Sequence, residues 1–317
     1  SFDRFVVESA VMHKVVNEAK RIADLDAPVL IFGETGTGKE MIARACHQSS
    51  RRSEGAFLAL NCASLPDSVA ETELFGYAEG AFNQPSAKVG LLEQARGGTL
   101  LLDEIADMSH QLQAKLLRVL EDGEFRRVGD TQPVNVDVRF ICTTCRDLGQ
   151  LVEEGRFRKE LYYRLNVLSL VMPSLKERRQ DIVPLAEAFI AQHSTKLGRR
   201  PAKLSKSCVE FLQNYPWPGN VRQLQNALFR ALSLLDGKEI TKEDIQLPSC
   251  APSMTYIDEN FDGSLDDEVK KFEKDLLKRL YPFYPSTRQL AKKLGLSHTA
   301  IANKLREYGI NKATIKL

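Results

Sequence analysis

Nowhere does the sequence sustain the roughly 20 consecutive apolar residues that a membrane-spanning helix requires, and no charged-then-apolar leader precedes a small-residue cleavage site. Membrane insertion and secretion are therefore not expected, and the expected compartment is the cytoplasm. Cysteine is sparse: six residues, Cys46, Cys62, Cys142, Cys145, Cys208 and Cys250, lie scattered through apolar or helical text. That usage suits reduced cytosolic thiols and argues against a disulfide framework. Cys142 and Cys145 form a C-x-x-C, but no second cysteine or histidine pair stands at zinc-finger spacing, so the pair reads as structural, beside a buried strand from Arg139 to Thr144. Internal repeats and low-complexity tracts are missing, which leaves ordinary globular domains.

A dominant charge of one sign is missing too, since 44 Lys and Arg against 42 Asp and Glu give a formal net charge of +2. The balance hides an asymmetry. From Leu276 onward the only acid is Glu307, set against Lys278, Arg279, Arg288, Lys292, Lys293, Lys304, Arg306, Lys312 and Lys316. A basic end on a nearly neutral chain is the footprint of a polyanionic partner.

What is present suits a soluble protein of two domains: 317 residues, 43% hydrophobic and 27% charged. The first half alternates short apolar runs (Val29–Phe32, Phe57–Leu60, Thr99–Leu102, Phe140–Thr143) with helical patterns such as Met41–Gln48 and Ser109–Glu121. Buried strands separated by helices predict a parallel sheet covered on both faces, with Leu168–Met172 as its last strand. Helical text follows over Asp181–Leu197, Ser205–Tyr215 and Val221–Leu235, with Asn220 as the expected N-cap of the last and Gly237 just past its end. A stretch rich in Pro, Ser, Asp and Gly then reads as a linker. The predicted organisation is an α/β nucleotide-binding subdomain over 1–170, a helical lid over 171–247, a linker over 248–263 and a helical DNA-binding domain over 264–317.

The chemistry starts at Gly33-Glu34-Thr35-Gly36-Thr37-Gly38-Lys39-Glu40, which follows a buried strand and opens a helix. Glycines let backbone N–H groups curl around phosphates, the helix N-terminus adds positive potential, and Lys39 reaches the outer phosphates. ATP is the expected ligand. Glu40 stands where a Ser or Thr hydroxyl commonly holds Mg2+. Further along, Gly97–Glu104 is an apolar strand ending in paired carboxylates. Asp103 is placed to hold Mg2+ and Glu104 to orient or deprotonate an attacking water.

At the other end, Ser286–Leu294 and His298–Tyr308 are two short helices joined by Gly295-Leu296-Ser297, a helix-turn-helix pattern. Leu290, Ala291, Leu294, Leu296, Ile301 and Leu305 are expected to pack the pair together, with Ser297 capping the second helix. That helix is the one to enter the major groove, with His298, Thr299, Ala300 and Asn303 as candidates for base contact. Arg288, Lys292, Lys293, Lys304 and Arg306 suit phosphates. The amphipathic helix Leu265–Leu280 before them suits dimerisation, which would match palindromic operators in double-stranded DNA.

GETGTGKE, ELFGYAEGAF (Glu73–Phe82), GGTLLLDE, FRKELYYRLNV (Phe157–Val167) and WPGNVRQL (Trp217–Leu224) occur in this order. Together they resemble the AAA+ domain of bacterial sigma-54-type enhancer-binding regulators. The resemblance implies an α/β AAA+ P-loop fold with a helical lid, and in that family Glu40 is usual. It implies that Asn61 holds the catalytic glutamate at rest and that Thr144 is the first sensor, near the γ-phosphate. It also implies that Arg158 and Arg164 reach a neighbouring subunit's nucleotide in an oligomer, and that Arg222 is the second sensor on the lid. The end of the chain resembles the Fis-type all-α domain that closes many such regulators.

Two positions depart from the family. Its sigma-54 contact loop reads GAFTGA, whereas here Gly80-Ala81-Phe82-Asn83-Gln84-Pro85 stands, and Pro85 stiffens the loop. Cys145 replaces an Asn beside the sensor threonine, which points to weak or regulatory hydrolysis. With SHTAIANKLREYGI, the altered loop resembles the branch of the family that regulates aromatic amino-acid genes. That branch implies a repressor working with RNA polymerase carrying the main sigma factor, with tyrosine as effector and ATP-dependent oligomerisation. It also implies N-terminal sensory domains, which are not part of this sequence, so activation through them is not expected. The alternative is a sigma-54-dependent activator that hydrolyses ATP to remodel polymerase, and a third reading is a metabolic ATPase whose helical tail binds protein.

Overall fold

Five of the short apolar runs form one parallel sheet. Its strands are β1 (Val29–Phe32), β2 (Phe57–Asn61), β3 (Thr99–Asp103), β4 (Arg139–Thr144) and β5 (Leu168–Val171), in the spatial order β2-β3-β4-β1-β5. The three central strands are nearly all buried, as expected of apolar runs covered on both faces. Around them lie α1 (Ala10–Ala23), α2 (Lys39–Gln48), α3 (Asp67–Phe75), α4 (His110–Asp122), α5 (Leu148–Glu153) and α6 (Lys159–Leu165). One core, with Leu74, Leu100, Leu102, Leu116 and Leu161, fills one side of the sheet. A second, with Met12, Ile31, Ile42, Leu101 and Ile141, fills the other. Arg139, 3% exposed, sits at the start of β4 and donates to the carbonyls of Ile22, Ala23 and Ala27. It thereby satisfies the C-terminal carbonyls of α1, where a cation also suits the helix dipole.

This is a computed structural model that describes residues 1–248 and 263–312; most of the expected linker, Cys250 and Lys316 lie outside the described residues. The chain divides into two compact units, Ser1–Ser253 and Met254–Leu317. In the first unit the sheet is followed by α7 (Ile182–Lys196), α8 (Lys206–Asn214) and α9 (Asn220–Ser233), which close on their own core of Leu185, Leu212, Trp217, Leu224 and Leu228. Asn220 is not the cap of α9. Gly219 holds that position, and Asn220 takes the left-handed conformation at φ 52° with a fully buried side chain.

The second unit contains α10 (Leu265–Leu280), α11 (Thr287–Leu294) and α12 (His298–Glu307). Each begins with a serine, Ser264, Ser286 or Ser297, whose hydroxyl accepts a backbone N–H at 3.1 Å. Gly295 ends α11 at φ 68°, a conformation that favours glycine. Leu277, Leu290, Ala291, Ile301, Leu305 and Ile310 form the core, with Leu294 packed against it. Leu296, expected in that core, is 45% exposed because the turn directs it outward. Among the described residues no helix is long and apolar enough to cross a membrane.

Candidate nucleotide site and DNA-reading helix

The turn after β1 depends on two glycines. Gly36 and Gly38 have φ of 83° and 98°, and a Cβ on Gly36 would lie 2.2 Å from the Gly219 carbonyl of the lid. Thr37 is buried and donates its hydroxyl to the Glu34 carbonyl at 2.7 Å. Lys39 opens α2, is 7% exposed, and donates from Nζ to the carbonyls of Gly33 at 2.6 Å and Glu34 at 3.2 Å. The same Nζ stands 3.5 Å from Glu104 Oε1. Glu40 points to solvent, paired with Arg44 at 3.0 Å.

Asp103 and Glu104 end β3 beside this loop. Glu104 is left-handed, at φ 55°, and strain of this kind in a non-glycine residue persists only where surroundings enforce it. Here its N–H donates to the Thr143 hydroxyl at 3.0 Å, its Oε1 faces Lys39, and its Oε2 accepts from the Cys145 N–H at 3.3 Å. Thr143 also donates its hydroxyl to Asp103. Burial, and next the Glu104 carboxylate accepting from it, raise the Cys145 thiol above its ordinary pKa. Cys145 is thus half-buried in the site, whereas Cys142 lies inside the sheet.

One expectation does not match this arrangement. Asn61 aligns with Asp103 across the β2–β3 pairing, but it is exposed and its Oδ1 accepts from Ala63 N–H at 2.9 Å; it makes no bond to Glu104. Thr144 is 1% exposed, and its hydroxyl closes the turn after β4 on the backbone of Arg146. Side chains alternate along a strand, so Thr143 faces the acids and Thr144 does not. The residues that hold Asp103 and Glu104 are Thr143, Cys145 and Lys39.

The arginines occupy three settings. Arg158, before α6, donates from Nε to the His110 carbonyl at 3.0 Å. Arg164 is exposed on α6, and its side chain makes no hydrogen bond or ion pair among the described residues. Arg222, in the first turn of α9, is exposed, and its N–H donates to the Gly36 carbonyl at 3.1 Å. Asn220 completes the same junction: its Nδ2 donates to Glu34 Oε2 and Thr35 O, each at 3.1 Å, and its Oδ1 accepts from Leu175 N–H at 2.8 Å. A cleft of about 910 Å³ opens here, lined by Phe5, Val6, Gly36, Gly38, Leu185 and Arg222.

The segment that departs from GAFTGA stands on a hairpin in which Gly76–Tyr77 pairs with Lys88–Val89. Gly80 N–H donates to Gln84 O at 2.9 Å, Phe82 and Asn83 are left-handed, and Phe82 is 62% exposed at the tip. It is a closed turn.

In the second unit α12 exposes His298, Thr299, Asn303 and Arg306, while Ala300 is half-buried and the Ser297 hydroxyl is occupied as the cap. Arg288, Lys292 and Lys293 are exposed on α11, with Lys293 Nζ 5.6 Å from the centre of the Tyr284 ring. Lys304 departs from expectation: its ammonium pairs with Glu273 of α10, which also accepts from the Tyr308 hydroxyl. Lys304 first, then Tyr308, hold the Glu273 carboxyl below its ordinary range, and Tyr308 is pushed up to about 12.

Residues 5–171 match the sigma-54 interaction domain, 176–250 an AAA+ ATPase lid domain and 262–311 a helix-turn-helix domain. The chain is 55% identical over 310 residues to the HTH-type transcriptional regulatory protein TyrR of Enterobacter agglomerans, covering 98% of this chain and 60% of that protein. Against TyrR of Haemophilus influenzae the identity is 47% over 311 residues, covering 98% of this chain and 96% of the relative. The chain thus spans about 60% of the length of the first relatives it matches. Among solved structures, NtrX from Brucella abortus in complex with ATP superposes with a TM-score of 0.74 at 35% identity, over 96% of this chain and 70% of NtrX. A parallel-sheet P-loop unit with a helical lid, joined in sequence to a helix-turn-helix unit, therefore places the chain in the family of sigma-54-interaction-domain transcriptional regulators, among the TyrR proteins.

Proposed function

We propose that this chain is an ATP-binding, sequence-specific DNA-binding regulator, mainly a repressor, of genes for aromatic amino-acid biosynthesis and transport. In this reading ATP and tyrosine drive its oligomerisation on operator DNA. One observation carries it: the phosphate loop is joined to the lid backbone to backbone, Arg222 N–H to Gly36 O, so a ligand seated on the loop bears directly on the lid. The ATP complex of NtrX supports the choice of nucleotide. Gly33–Glu40 would cradle the phosphates and Glu104 would face the attacked phosphoryl group. Among the described residues no three His, Cys, Asp or Glu side chains cluster as a metal site. That fits Mg2+, which one carboxylate, here Asp103, can hold together with phosphate oxygens and water.

Arg158 and Arg164, both at the surface, would reach a neighbouring copy's nucleotide. Leu265, Val269 and Phe272, 79%, 53% and 68% exposed along one stripe of α10, support pairing of the DNA-reading units. Polymerase with the main sigma factor is the expected partner, because the closed turn at Gly80–Pro85 replaces GAFTGA. The sigma-54 interaction domain spanning 5–171 favours a second reading, a sigma-54-dependent activator ATPase.

Sedimentation with a non-hydrolysable ATP analogue and with tyrosine, separately and together, tests the proposal. Larger species that need the analogue, and grow further with tyrosine, are expected. Unchanged sedimentation defeats the proposal, and sigma-54-dependent open-complex formation with purified components establishes the second reading.

A further inference from the structure

Arg178 and Asp181 are buried charges that the phosphate site does not use. Asp181 is 0% exposed and Arg178 4%, and both lie in the Leu175–Asp181 turn that leads into α7. Asp181 Oδ1 accepts the N–H groups of Glu8 at 2.6 Å and Ser9 at 2.9 Å. Its Oδ2 accepts the Ser9 hydroxyl at 2.7 Å and Arg178 Nε at 2.8 Å. Arg178 Nη2 donates to the Val6 carbonyl at 2.9 Å. Apart from the Arg178–Asp181 bond itself, every one of these contacts ends on residues 6–9.

Residues 5–8 have no helix or strand of their own. They run as a strap between two cores, with Val6 packed on the lid core and Phe5 and Val7 on the core beneath β1. Phe5 and Val6, with Leu185 and Phe189, line the same cleft as Gly36–Gly38. The backbone N–H groups of Val6 and Val7 donate to no described residue. A buried ion pair adds little net stability compared with apolar side chains of similar volume. Its contribution here is geometric, because four donors converging on one carboxylate leave the strap a single position.

The phosphate loop needs none of these bonds. A nucleotide whose phosphates occupy that loop must place its base elsewhere in the cleft, against the apolar wall that includes the strap. We propose that the Arg178–Asp181 pair is a positioning device, holding the Phe5–Ser9 strap as the base-binding wall and so setting affinity for the nucleoside part of a nucleoside triphosphate. This rests on the nucleotide-binding reading above.

The test is calorimetric titration of the full chain with ATP and with inorganic tripolyphosphate, for wild type, Asp181→Asn and Ser9→Ala. Ser9→Ala removes one donor and leaves Arg178 paired, so it keeps the test decisive where Asp181→Asn does not fold. Affinity for ATP should fall about tenfold in Asp181→Asn and roughly threefold in Ser9→Ala, with tripolyphosphate affinity unchanged in both. Equal loss for both ligands, or loss for neither, overturns the positioning role while the nucleotide site stands. Wild type that binds neither ligand defeats the nucleotide reading and this inference with it.

Discussion

Replacing Asn220 by alanine should loosen the junction between phosphate loop and lid, and the size of the effect can be worked from its bonds. The Asn220 Oδ1 is the acceptor for Leu175 N–H, on a residue that is 0% exposed. A buried donor left without a partner costs about 1–3 kcal/mol. The bonds from Nδ2 to Glu34 and Thr35 end on exposed residues that water can serve, so they contribute less. Alanine at φ 52° adds about 1 kcal/mol of backbone strain that asparagine largely escapes. The sum, about 2–4 kcal/mol, corresponds to a fall of about 4–16 °C in Tm for a unit of this size. Trp217, the chain's single tryptophan, is 1% exposed in the lid core, so its fluorescence follows this unit alone. Asn220→Gly removes the bonds but not the backbone freedom and should lose about 1 kcal/mol less. Equal melting of all three proteins, or a glycine variant no better than alanine, would refute the assignment of a bridging amide held in a left-handed turn.

Acid should destabilise the first unit through His47. Its Nδ1 lies 2.8 Å from Thr99 Oγ1 and its Nε2 3.1 Å from Gly55 O, and burial lowers its pKa below 6.5. The folded form keeps the ring neutral while the unfolded chain protonates, so stability is full above 6.5 and declines as pH falls from there toward the depressed folded value. His193, lowered first by burial and then by Lys196, adds a slope of the same sign. Urea midpoints measured from about pH 7.5 to about pH 5 should show this limb, flattened in His47→Gln; an unchanged slope counts against it. Glu273→Gln frees Lys304, so affinity for random duplex should rise and the salt slope steepen by about one. Gel shifts across a salt series read this, and an unaltered slope means that Lys304 stays off the phosphates. Asn303→Ala should reduce discrimination between operator and random duplex by about 1–3 kcal/mol, whereas equal loss on both would place Asn303 on the backbone.

The strands were legible because each is a short apolar run, and a sheet covered on both faces needs little else. The phosphate loop was legible because its glycines serve local backbone geometry that any neighbouring fold must respect. The departures have a common cause. That Thr143 meets the carboxylates follows from the alternation of side chains along β4, which motif alignment does not show. Lys304 carries the same charge whether it faces a phosphate or Glu273, and only the packing of α10 against α12 decides. Asp181 lies 172 residues from Ser9, and no local pattern marks such a pair.

The proposed coupling between nucleotide and lid would need no movable side chain in this architecture. Gly36 accepts the Arg222 N–H while its own Cα faces the Gly219 carbonyl so closely that even a methyl group is excluded. Lys39 and Glu104 close the opposite side of the loop, each within reach of the other. A phosphate entering between them competes for Lys39 and repels Glu104, which is already strained at φ 55° and restrained by the Cys145 N–H and the Thr143 hydroxyl. In the proposed reading, displacement of the loop by its ligand would be felt at Gly219 and Arg222 through the Arg222 N–H to Gly36 O bond and the close approach of Gly36 to Gly219. Gly36→Ala makes this testable: it should separate lid from loop, lower the Trp217 melting temperature and abolish any nucleotide-dependent change in sedimentation. A Gly36→Ala protein that still sedimented faster with ATP analogue would show that the signal reaches the subunit surface by another route.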